Sequence, residues 1–206
     1  RALTTNTTGY SNTALGDRAL TANTTAHSNT AVGADSLAAN TTGSGNTAVG
    51  LSALLANTTG ARNTAIGYQA YDASDTENDN IAIGYQAMTT NTAGGTRNVA
   101  VGNYALDALT SGDFNVAVGY NAGTTLTDTD GMTAIGDSAL ASATTGSYNT
   151  AVGQNTLTAN TTGTRNVAVG HDALITSTTT GSNTAIGDNA LKLSTSGTYL
   201  TAVGAG

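Results

Sequence analysis

Thirteen acids, six bases, two histidines and no cysteine are the whole stock of titratable chemistry in this sequence, apart from its tyrosines. Histidine is the side chain best suited to proton transfer near neutral pH. An active site, however, needs a base, an acid or nucleophile and an orienting group brought together. His27 and His171 lie far apart in the chain, and no serine is set beside a plausible base by sequence spacing. The carboxylates are more suggestive. One cluster is Ser74-Asp75-Thr76-Glu77 followed by Asp79; another is Leu126-Thr127-Asp128-Thr129 followed by Asp130-Gly131. Carboxylates gathered on a loop suit a hard cation such as calcium, which makes Asp75, Glu77, Asp79, Asp128 and Asp130 candidate ligands. A solvated acidic turn accounts for the same residues without an ion, and the nonapeptide of calcium-binding β-rolls is absent. Asn6, Asn23, Asn40, Asn57 and Asn160 each begin an Asn-Thr-Thr glycosylation sequon, but those residue types are also ordinary turn formers.

Charge narrows the partners. The net charge is −7, whereas nucleic-acid binding draws on clustered Lys and Arg. The bases Arg1, Arg18, Arg62, Arg97, Arg165 and Lys192 are widely scattered. No apolar run approaches the roughly 20 residues of a membrane helix, and no secretory leader is evident. The sequence opens and stops inside a repeat, so it reads as an excerpt of a longer protein.

The elements that would position these groups follow from an internal repeat. A pentad of the form Asn-Thr-Ala-Val-Gly begins at residues 12, 29, 46, 63, 80, 98, 115, 132, 149, 166, 183 and 200. The step is 17 residues throughout except for one of 18 at 80–98, where Gly94-Gly95 offers room for an insertion. The consensus, numbered 1 to 17 from the first Asn, is N-T-A-V-G-x-x-A-L-x-x-N-T-T-G-x-x, and the whole of 1–206 reads as one array. Sparse charge and few large apolar residues would ordinarily indicate disorder. Strict periodicity points the other way, because stacking can satisfy a chain with little core.

Two positions admit no variation. Position 3 is alanine at Ala14, Ala31, Ala48, Ala65, Ala82, Ala100, Ala117, Ala134, Ala151, Ala168, Ala185 and Ala202. Position 5 is glycine at Gly16, Gly33, Gly50, Gly67, Gly84, Gly102, Gly119, Gly136, Gly153, Gly170, Gly187 and Gly204. Positions 2 to 4, as in Val99-Ala100-Val101, have the β-branched character of a short strand. The glycine permits a bend closed to other residues, positions 7–9 predict a second short strand, and N-T-T-G predicts a turn. Helix is excluded by the density of Gly, Asn and Thr. The fold expected is all-β: an elongated β-solenoid or β-roll of about twelve coils, spanning roughly 55 Å at the spacing of paired strands. Asn at position 1 would either ladder along the axis or simply start a turn.

Alternation places positions 2 and 4 on one side of the strand and position 3 on the other. With Leu at position 9 as core, positions 2 and 4 are expected to fill the interior and Ala to face outward. A column restricted to Ala then implies a close contact, and a parallel, in-register homo-oligomer is expected to pack there, because a thin coil gains the buried area it lacks.

The unit Asn63-Thr64-Ala65-Ile66-Gly67-Tyr68-Gln69-Ala70, repeated with Ile81 at Asn80–Ala87, resembles repeats of long secreted surface proteins of Bacteroidota and related bacteria, and of some bacteriophage tail-fibre-like proteins. The pentad is also similar to the shorter head repeats of trimeric autotransporter adhesins, which are β-rolls packed side by side. These resemblances imply an extracellular, fibrous, oligomeric role in attachment, as a trimer or larger ring; the residues themselves point to no catalysis, cofactor, nucleic acid or membrane span. A phage receptor-binding shaft shares the fold. Ice binding would require an exposed, unbroken Thr column; Ile81, Val99, Val116 and Val167 interrupt position 2, which argues against it on the expected facing.

Overall fold

The computed structural model describes residues 1–91 and 94–206. Each pentad forms one three-residue strand: β1 Thr13–Leu15, β2 Thr30–Val32, β3 Thr47–Val49, β4 Thr64–Ile66, β5 Ile81–Ile83, β6 Val99–Val101, β7 Val116–Val118, β8 Thr133–Ile135, β9 Thr150–Val152, β10 Val167–Val169, β11 Thr184–Ile186 and β12 Thr201–Val203. They pair in chain order into one parallel 12-stranded sheet. Register never slips: Ala14 pairs with Ala31, and across the 18-residue coil Ala82 pairs with Ala100. The fold is therefore the expected all-β solenoid, with no helix among the described residues and none long and apolar enough to cross a membrane.

The facing of the strand is the reverse of the expectation. Ala at position 3 points into the coil and is fully buried from Ala31 to Ala185, whereas positions 2 and 4 face outward. Ile81 (37% exposed), Val118 (36%) and Ile186 (40%) show the half-open character of a sheet surface. The alanine column is thus an interior column, and the expected inter-chain contact at position 3 is corrected with it. The interior is narrow: Ala at positions 3 and 8, Leu at 9 and the Asn side chains at 1 and 12 fill it. A larger residue at position 3 would have nowhere to go in such a close-packed space.

The second strand expected at positions 7–9 is absent. Those residues are turns, with left-handed backbone at both 7 and 9, as at Asp35 (φ 59°) and Leu37 (φ 49°). A strand would send neighbouring side chains to opposite faces, yet Ala53 and Leu54 are both fully buried. Two left-handed residues flanking Ala let both adjacent side chains enter the core. The turn still ladders from coil to coil: Leu37 N–H donates to Ala53 O at 3.0 Å, and Asp35 N–H to Asp17 O at 2.9 Å. Inter-coil bonds also satisfy position 13, where Thr41 N–H donates to Thr58 O at 2.9 Å. Backbone donors that would otherwise be stranded in a loop are thereby paired around the coil.

Position 5 explains itself at one coil. Gly102 has φ +136°, and a Cβ there would lie 2.2 Å from Gly119 O of the next coil. Neither the backbone angle nor the space admits another residue.

Candidate functional site

The interior is built by two asparagine columns. At position 1, Asn46 Nδ2 donates to Gly60 O (2.8 Å), and its Oδ1 accepts from the backbone N–H of Asn63 (2.9 Å). The same pair of bonds recurs at Asn98, to Gly112 O (2.8 Å) and from Asn115 N–H (2.9 Å). The column therefore bridges side chain to backbone rather than amide to amide. Direct amide stacking belongs to position 12, where Asn23 donates to Asn6, Asn40 to Asn23 and Asn57 to Asn40 (2.7, 3.2 and 2.8 Å). That run stops because the next coil carries Ser74, which leaves Asn57 Oδ1 buried without a partner.

The coil that breaks the run is internally compensated. Tyr71 replaces the usual Leu and is fully buried; its hydroxyl accepts from Asn80 Nδ2 (2.5 Å) and Asn91 Nδ2 (3.2 Å). Burial holds that phenol well above its ordinary range. Glu77 stands where most other coils have Gly. Its carboxylate turns inward and accepts from Asp75 N–H (2.9 Å), Thr76 N–H (3.0 Å) and Gly94 N–H (3.1 Å). Three coils later, Gly123 takes the Leu position and Leu126 the Asn position, moving the apolar side chain across the turn without emptying the core.

The candidate calcium ligands do not converge. Glu77 is spent on its own turn. Asp79 is paired with Arg62 Nε at 2.6 Å, and that bond holds its carboxyl below the usual range. Asp128 accepts from Thr110 Oγ1 (2.6 Å) and Ser111 Oγ (2.7 Å), which lower it likewise. Asp130 accepts from Asp113 N–H at 2.8 Å, and Asp75 from Thr58 Oγ1. Among the described residues no group of three or more potential metal ligands comes together.

The histidines lie at positions 16 and 6, on either side of the strand. His27 stacks on Tyr10 (4.9 Å, 13°), and its Nδ1 lies 3.1 Å from Ser44 Oγ. Sequence spacing alone had set no serine beside a base; the 17-residue offset between His27 and Ser44 is the signal that was available. The same hydroxyl also bonds Thr42 O at 3.4 Å and His27 N–H at 3.1 Å, so the pair is one rung of a turn ladder. His171 lies 3.2 Å from Asp188 and 3.4 Å from Asp172, half-exposed. Asp172 is held below the usual carboxylate range by Lys192 Nζ at 2.7 Å.

What remains is a surface. The outward face carries position 2 and position 4 of all twelve strands, and no residue on it is charged. On one side it is bordered by position 17, with Arg62, Phe114 and Arg165; on the other by positions 6 and 7, where Tyr68, Tyr85, Tyr104 and Tyr120 form a continuous ladder with centroids 5.2, 5.5 and 6.0 Å apart. Arg97 lies over Phe114 (5.2 Å) and Arg165 over Tyr148 (5.9 Å). Comparison with protein-family models, curated proteins and solved structures gives no match.

Proposed function

We propose that this chain is a structural segment of an extracellular surface filament or adhesin, a rigid spacer in which parallel copies run side by side to hold an attachment site away from a cell. The observation that carries this reading is the unbroken register of the sheet: every strand pairs with the one before in the same parallel register. Such a stack is quasi-one-dimensional, and its length is set by repeat number alone. The uncharged outward face gives the copies a surface on which to associate. A phage receptor-binding shaft would use the same properties. The test is electron microscopy of the segment and of a version with twice the repeats: the rods should lengthen by about 4.8 Å per added unit. Particles whose length ignores repeat number would end the spacer reading.

One observation favours a second reading. Because position 2 faces outward, the column Thr13, Thr30, Thr47 and Thr64 lies on the surface, where a regular Thr ladder can order water. Thermal hysteresis of the soluble segment would identify an ice-binding face. Its absence leaves the spacer alone.

A further inference from the structure

We propose that copies of this chain dock through the outward sheet face in parallel and in register, the position-17 flank of one copy against the 6–7 flank of its neighbour, around an axis along the fibre. This rests on the filament reading and adds to it the face that makes the contact and the pairing of its flanks.

The two flanks differ in charge. Position 17 holds Arg62, Arg97 and Arg165 against one acid, Asp79. Positions 6 and 7 hold Asp17, Asp35, Asp137, Asp172 and Asp188 against Arg18 and His171. A positive flank and a negative flank on the same chain attract when unlike flanks meet and repel when like flanks meet. Any cyclic arrangement about the fibre axis brings unlike flanks together; an antiparallel two-fold pair brings like flanks together. Centred antiparallel pairing would also set Asp35 opposite Asp188, which follow the second and the second-last strands, β2 and β11.

In register, the pairs are chemically matched. Arg62 comes opposite Tyr68 and Phe114 opposite Tyr120: a cation on an aromatic ring and two aromatics. At these positions no coil sets aspartate opposite aspartate or arginine opposite arginine. Between the flanks lies the uncharged Thr, Val and Ile face. Twelve coils at about 4.8 Å, with a width on the order of 15 Å, give roughly 860 Å² per copy, comparable with the roughly 800 Å² per partner of a stable specific interface.

The absence of cysteine makes the pairing directly testable. Ser28→Cys places a thiol at position 17 and Ala34→Cys one at position 6 of the next unit, on either side of β2. Within a chain the two are separated by the width of the strand, on the order of 15 Å, too far for a disulfide. Oxidation, or a short bis-maleimide, should link chains of the double variant into a ladder ending at one closed number of copies, while either single variant stays unlinked. Self-linking of a single variant, or a double variant that stays unlinked although light scattering shows the unmodified protein to be oligomeric, would overturn the pairing while leaving the filament reading in place. A monomer by light scattering would overturn association itself, and the pairing with it; rod length against repeat number would then still report separately on the spacer.

Discussion

Asn98 shows how much one side chain does in this fold. It accepts from one coil's backbone and donates to a carbonyl across its own turn. Asn98→Ala strands a buried N–H and a buried C=O, and each stranded group costs about 1–3 kcal/mol; a denaturant melt should show a loss in that range or above. Tyr71→Phe should lose about 1–3 kcal/mol for the same reason, since two buried amides each give up one acceptor and keep only Gly95 O. Gly102→Ala combines a disfavoured φ with a Cβ 2.2 Å from a backbone oxygen. The angle alone, in a region essentially reserved to glycine, costs about 1–3 kcal/mol, so the variant should melt earlier than Asp137→Ala at exposed position 6. Acid should act weakly. Asp79, Asp128 and Asp172 have depressed pKa values in the fold, so their contribution is present above the ordinary carboxylate range and fades as pH falls through the folded values. Asp79 and Asp128 are bonded at the surface, and Asp172, though itself little exposed, is bonded to a half-exposed Lys192; such pairs contribute little. A melt at pH 3 should therefore stay close to one at pH 6.

At the scale of the strand, facing separates folding from assembly. Ala117 points inward with no exposed surface, so Ala117→Leu overpacks the coil, at a cost of about 1–3 kcal/mol or more. The loss should appear in the thermal melt at every protein concentration. Val118, its neighbour, points outward. Val118→Asp should leave the circular dichroism spectrum unchanged and weaken association in light scattering. An equal loss of fold in both variants would contradict the observed facing. The turn after each strand is as important as the strand, because left-handed residues at 7 and 9 are what bring Ala and Leu inward together.

Over the whole molecule, stability should behave as a sum over coils and their nearest-neighbour contacts. Removing residues 149–165, one complete unit, should leave a folded rod shorter by about 4.8 Å, with a smaller denaturant slope. Removing a single residue from a strand would instead throw every later column out of phase. The one extra residue in the array falls in the turn at Gly94, where an added Cβ would meet nothing.

The amino-acid pattern by itself determined the period, the strand at positions 2–4, the stop at glycine, the exclusion of helix and the identity of the columns, because each is a local property of residue types at fixed spacing. Position 1 showed its Asn column, though not that the column bridges to backbone. Alternation also separated position 3 from positions 2 and 4. It could not say which side was inside, since a three-residue strand obeys period 2 equally well in either orientation. Closure of the coil decided that. With Ala, Leu and two Asn side chains converging from the turns, the remaining width admits only alanine. The same closure turned the expected second strand into a left-handed turn, set His27 beside Ser44 and drew the carboxylate of Glu77 inward. Each of these depends on distances across and between coils, which no single stretch of sequence contains.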